Sequence, residues 1–243
     1  MSQTSQISRR KFIASSAAAA GGILLSGRML AARSPKSEPE TSPAEGQPTQ
    51  DILPVEDLMR EHGVLRRVLL IYDESARRLE AHEDLPPETV KDAAEIIHAF
   101  IEDYHEKLEE NYLFPRFRKA DRLVDLVDVL LEQHKAGRRL TEETRKLSRP
   151  QSLKKDEDRD RLAGVLRRFI RMYGPHAARE DTVLFPAVHE ITTATEYDKL
   201  GDVFEDKERE LFGDRGFEKM VDRVADIEKS LGIYDLAQFT PKD

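Results

Sequence analysis

The sequence predicts an all-α protein, an antiparallel up-down-up-down four-helix bundle over residues 52–190 with additional C-terminal helices over 191–243. Three observations predict it. Apolar residues recur at steps of three and four through four long segments. The sequence of one helical hairpin occurs twice at a nearly constant offset. The apolar stripes are interrupted at matching places by histidine and glutamate.

Composition limits what such a bundle can do. At 243 residues and 39% hydrophobic content, one packed core is the default. The 47 acidic residues outnumber the 39 basic ones, for a net charge of -8, which argues against a nucleic-acid partner. Cysteine is absent, so disulfides, thiolate metal sites and thiol nucleophiles are excluded. Any metal must sit on histidine and carboxylate.

In chain order, residues 1–32 read as an export signal. Basic Arg9-Arg10-Lys11-Phe12 precedes a short small and apolar run from Ala14 to Leu25, too short to span a bilayer comfortably. The arginine pair resembles the twin-arginine signal. The expected location is periplasmic or exported by that route, with membrane anchoring only if the signal stays uncleaved. Residues 33–51 carry Pro35, Pro39, Pro43 and Pro48 among polar residues and read as a disordered linker.

The first helix follows from Val55, Leu58, Leu65, Leu69, Tyr72, Ala76 and Leu79, whose spacing has one gap, filled by His62. The second starts after Pro86-Pro87 and runs to Phe114-Pro115, with His105 and Glu109 on its stripe. The third, from about Asp121 to Leu147, places His134 among Val127, Leu130, Gly137 and Leu140. The fourth, from about Asp158 to Pro186, carries His176 and Glu180, with a kink expected at Gly174-Pro175. Beyond it, Thr195 to Phe212 and Phe217 to Leu231 read as two further helices that cover the bundle or form a subunit contact, and Gly232 stops the last.

His105, Glu109, Leu113, Phe114 and Pro115 match His176, Glu180, Leu184, Phe185 and Pro186 at an offset of 71. Leu58, His62, Arg66 and Arg67 match Leu130, His134, Arg138 and Arg139 at an offset of 72. A repeated helical hairpin cannot bury its inner face alone, so the two halves form one pseudo-two-fold bundle. In that topology the four histidines and two glutamates fall near one end.

A histidine and a glutamate four apart share a helix face, so one metal can take the nitrogen while the carboxylate reaches a second. Left unpaired in an apolar interior, these groups would cost on the order of several kcal/mol. A hydrogen-bonded core role is the commoner outcome for any single buried histidine. Six convergent positions in duplicated register outweigh it.

These residues, with the runs HEKLEENYLFP from His105 to Pro115 and HAAREDTVLFP from His176 to Pro186, resemble the hemerythrins and the bacterial hemerythrin-like (HHE) cation-binding proteins. The resemblance covers about Val55 to Pro186. It implies a non-haem centre of two iron ions, with His62, His105, His134 and His176 as terminal ligands and Glu109 and Glu180 as bridges. It also implies a protein that binds or senses oxygen, peroxide, nitric oxide or iron, with a di-iron enzyme acting on peroxide, or as an oxidase, as the alternative.

Two departures qualify the resemblance. Oxygen-carrying relatives have a second histidine one turn after the first on the third helix, where this chain has Arg138. Reversible oxygen storage is therefore not expected. Glu106 corresponds to an extra ligand glutamate of the iron-sensing hemerythrin-like domain of a eukaryotic F-box protein, and is either a seventh ligand or a solvated carboxylate. Glu110 and Asp181 are expected beside the ligands or at the surface. His98 is expected to be buried or beside a ligand, and His82 and His189 lie in loops. Tyr104, Tyr112 and Tyr173 border the inward face, where core packing is the stronger expectation.

Overall fold

The computed structural model describes residues 52–241, so the export signal and linker expected over 1–51 lie outside the described residues. Helix α1 spans Pro54–Glu80 and begins on a proline, whose missing N–H costs nothing in a first turn. Its inward stripe of Leu58, Leu65, Val68, Tyr72, Ala76 and Leu79 is buried, and His62 is buried with it.

Helix α2 runs over 87–119 without a break, but not as a uniform α-helix. It opens with the α-helical Pro87–Ile96, widens into π-helix at Ile97–His105 and again at Glu109–Leu113, and ends in Phe114–Lys119. Helix α3 is Val124–Leu147. Helix α4 covers 156–191: Asp156–Arg179, a π-helical turn Glu180–Leu184, then Phe185–Ile191. The sequence places both of the shorter π turns. Each stands directly before a Phe-Pro pair, Phe114-Pro115 or Phe185-Pro186. A proline inside a helix has no N–H for the i−4 carbonyl and its ring crowds that carbonyl, so a wider turn there relieves both conflicts. No residue in Ile97–His105 marks that stretch locally.

Neighbouring helices in the bundle are α1 with α2, α2 with α3, α3 with α4, and α4 with α1, the ring of an up-down-up-down bundle. The fold is all-α among the described residues. Its interior is filled by Tyr72, Phe100, Phe169 and the leucine, isoleucine and valine residues around them, while Phe114 and Phe185 pack at the end that holds the histidines.

Helix α5, Ala194–Phe212, starts from a capping box in which Thr193 and Glu196 satisfy each other's backbone N–H groups. Helix α6, Gly216–Leu231, stops at Gly232, whose φ of 72° is left-handed. The pair lies against α1 and α2. Arg67 Nε donates to Glu228 Oε1 at 2.9 Å, and Arg78 Nη2 donates to the Leu231 carbonyl at 2.6 Å. The Phe212 ring packs on Phe100 and Tyr104, with centroids 5.5 and 5.4 Å away. These helices therefore cover the bundle. Among the described residues no helix is long and apolar enough to cross a membrane.

Candidate metal centre

The bundle brings His62, His105, Glu109, His134, His176 and Glu180 together at one end, each no more than 4% exposed. Besides Glu106, Glu110 and His134, two sets of three made of the expected residues have donor atoms within 4.8 Å of one another: His62, His105 and Glu109, and His134, His176 and Glu180. The glutamates connect them. Glu109 Oε1 is 3.6 Å from His105 Nε2, while Glu109 Oε2 is 3.4 Å from His134 Nε2. Glu180 Oε2 is 3.1 Å from His176 Nε2 and 3.4 Å from His62 Nε2. Each carboxylate thus faces one histidine of each set.

The outer side of every histidine is fixed. Nδ1 of His62 lies 2.6 Å from Asp181 Oδ1, and Nδ1 of His105 lies 2.7 Å from Glu61 Oε2. Nδ1 of His134 lies 3.1 Å from Glu110 Oε1, and Nδ1 of His176 lies 2.8 Å from Gln133 Oε1. When those carboxyls are ionised, they and the Gln133 amide oxygen accept, so each Nδ1 carries the hydrogen and a neutral ring turns its Nε2 lone pair inward. His62 Nε2 and His105 Nε2 then face each other at 3.1 Å, an arrangement that calls for a shared cation.

The inward atoms are otherwise unserved. Both oxygens of Glu109, both oxygens of Glu180 and Nε2 of His134 are buried with no hydrogen-bond partner among the described residues. Buried acceptors without donors cost free energy that a metal ion removes. Burial pushes the Glu109 carboxyl well up, with the Glu180 charge adding to it. Burial also pushes His105 well down, and the neighbouring His62 adds to that. A cation answers both, because it favours the carboxylate and takes the imidazole in its neutral form. Nitrogen and carboxylate donors in this number suit a first-row divalent metal.

The duplication extends to the supporting groups. Phe185 stacks on His62 and Phe114 on His134, at centroid distances of 5.4 and 5.6 Å, which gives the repeated Phe-Pro motif a packing role. Asp181 on His62 has its counterpart in Glu110 on His134, and Arg66 on Asp181 has its counterpart in Arg138 on Glu110. Glu61 and Gln133, absent from the expected site, occupy equivalent places one residue before His62 and His134. The repeat offset of 72 held the signal that would have found them.

Three expectations need correction. Glu106 is not a solvated carboxylate: it is 1% exposed, accepts from Tyr173 Oη and from Arg138 Nη2, each at 2.6 Å, and stands 4.0 Å from His134 Nδ1. His98 is neither buried nor beside a ligand. Its side chain is 37% exposed and its Nδ1 is 3.3 Å from Glu102 Oε2. The π-helical stretch explains it, since extra residues per turn mean that a spacing of seven no longer returns to one face. His189 is in the last part of α4, not a loop, and packs on Tyr197 at 4.3 Å. His82 does lie in the loop after α1, with a left-handed φ of 53°. Tyr112 packs on Phe204, as core packing predicts.

A helical bundle with paired histidine and glutamate groups at one end defines a class of metal-binding domain. Residues 53–188 match the hemerythrin HHE cation-binding domain, and the chain belongs to that family. It is 47% identical over 236 residues to uncharacterized proteins of Mycobacterium tuberculosis and Mycobacterium bovis, a match that covers 97% of this chain and 91% of each relative. No solved structure matches it.

Proposed function

We propose that the centre holds two iron ions, one on His62 and His105, the other on His134 and His176, with Glu109 and Glu180 reaching both. The observation that carries this reading is Glu109, which is buried, lacks a hydrogen-bond donor on either oxygen, and directs one oxygen to a histidine of each set. Bound iron would supply one-electron redox chemistry and open positions for a small molecule. The chain's part is to hold the donors in their neutral or anionic forms and to keep bulk water out with Phe114, Phe185 and the helices around them.

On this reading the protein binds or senses oxygen, peroxide, nitric oxide or iron. Arg138, bonded to Glu106 and Glu110, gives the third helix one imidazole where oxygen carriers have two, which supports sensing or reaction over oxygen storage. The Arg9-Arg10 signal supports a site of action outside the cytoplasm, reached after folding and metal loading.

The test is to load the protein anaerobically with ferrous iron and expose it separately to oxygen, hydrogen peroxide and nitric oxide. At least one should change the visible spectrum within seconds. An iron-loaded protein inert to all three contradicts the small-molecule reading and leaves iron as the ligand sensed, and an oxygen complex that persists for hours and releases oxygen under vacuum contradicts sensing or reaction over storage.

A further inference from the structure

The two halves of the centre differ in two outer contacts, of which the first is Glu106 beside His134, where the repeat has only Ala177. Asp181 with Arg66 is repeated by Glu110 with Arg138, so on each side a carboxylate that holds one histidine is itself paired with an arginine. The remaining pair holds the second difference. His105 Nδ1 meets the carboxylate of Glu61, whereas His176 Nδ1 meets the neutral amide oxygen of Gln133. Glu61 is 1% exposed, and its one ion-pair partner among the described residues is His105. The other extra acid, Glu106, bonds Arg138 and Tyr173 and touches no histidine nitrogen closer than 4.0 Å, whereas Glu61 meets His105 Nδ1 directly at 2.7 Å.

A carboxylate accepting from the outer nitrogen of an imidazole makes the inner nitrogen a better donor, and it adds a negative charge that attracts the metal; an amide gives only the orientation. We infer that Glu61 makes the His62–His105 position the tighter of the two, so that it fills first, and that Gln133 leaves the His134–His176 position weaker. Glu61 acts through His105 and is a positioning residue. The inference rests on the two-metal reading above.

Zinc(II), which accepts nitrogen and oxygen donors and has no redox chemistry, is a suitable probe. The apo full chain is titrated with it while the histidine ring signals are followed by NMR. In the wild type, the first equivalent should perturb His62 and His105 and the second His134 and His176, with the steps at least about tenfold apart. Glu61→Gln keeps an acceptor on His105 and should weaken the first step roughly 10- to 100-fold, merging the two. The double change Glu61→Gln with Gln133→Glu keeps the net charge and should restore two steps in reversed order. A purely structural role for Glu61 would not reverse it. Two equivalents that load all four rings together in the wild type, or a swap that leaves the order unchanged, overturn the inference while leaving the two-metal reading intact. Uptake of one equivalent or none overturns that reading itself.

Discussion

Arg138 and Glu106 form an ion pair at the edge of the centre: Arg138 Nη2 donates to Glu106 Oε2 at 2.6 Å, while its contact with Glu110 ties the same guanidinium to the acid that holds His134. Arg138 therefore serves the position in two ways. It answers a buried carboxylate, and it fixes the group that orients a histidine.

Arg138→Ala should expose that dependence. Glu106, whose pKa burial raises to about 8 even beside Arg138, would be left buried without one of its two hydrogen-bond donors. Arg138 is 29% exposed, so water screens part of the loss, and about 2 kcal/mol is expected. Urea denaturation of the apo protein measures it. A change below about 0.5 kcal/mol would show that Glu106 has no need of the pair.

Gly137 and Tyr173 make a second tight contact. A Cβ at residue 137 would stand 1.9 Å from Tyr173 Oη, the hydroxyl that donates to Glu106. Gly137→Ala must push the ring aside and is expected to cost about 2 kcal/mol or more. Adding Tyr173→Phe removes the clashing oxygen, so the double variant should lose less than the sum of the two single ones. Additive losses would place the strain elsewhere.

How far the sequence revealed the site depends on which residues are asked about. The four histidines and two glutamates were legible because type, spacing and order repeat at offsets of 71 and 72. Glu61 and Gln133 sit in that same repeat, but an acid or amide next to a histidine looks like an ordinary surface residue until the histidine's other neighbours are placed. Glu106, left open between ligand and solvated carboxylate, owes its burial to Tyr173 and Arg138 on other helices, whereas the error at His98 has a local cause. The His98 expectation used α-helical turns over seven residues, and the π-helix over Ile97–His105 shifts the faces by an amount that no residue in that stretch announces. His189 was misplaced because Pro186 suggested a helix end, whereas the π turn before it lets α4 continue to Ile191. The roles of α5 and α6 depend on contacts such as Arg67 with Glu228, which join residues far apart in the chain.

Asp57 gives a pH-dependent test. It is 9% exposed, and burial, with Glu208 adding and Arg60 opposing, raises its pKa to about 6. An acid whose folded pKa lies above its unfolded value of 3.8 binds its proton more tightly when folded. Stability therefore falls as pH rises from about 4 to about 6, and the loss is complete above that window. Asp57→Asn should stabilise the protein by about 1–2 kcal/mol at pH 7.5 and by little at pH 4. Denaturation curves at the two pH values decide it, and an equal effect at both would contradict the assignment.

The capping box tests whether α5 contributes to the fold. Thr193→Ala removes the side-chain acceptor for the Glu196 N–H, at 3.3 Å, and should cost about 1 kcal/mol. Because α5 carries Phe204 and Phe212 onto α2, that loss should appear in the unfolding of the whole domain. A local change with the main transition unaltered would mean that α5 docks independently of the bundle.

The central claim is a two-metal centre, and metal stoichiometry tests it most directly. After iron loading and removal of loose metal, elemental analysis should give two irons per chain, and the loaded protein should melt above the apo form, since a ligand at 100 times its Kd stabilises the native state by about 2.7 kcal/mol. Glu109→Gln should lower occupancy of both positions, because its two oxygens face histidines of different sets. His82→Ala, far from those sets in the loop after α1, should change neither count nor melting. One iron or none per wild-type chain, or two irons retained by Glu109→Gln with no loss of affinity, would contradict the account.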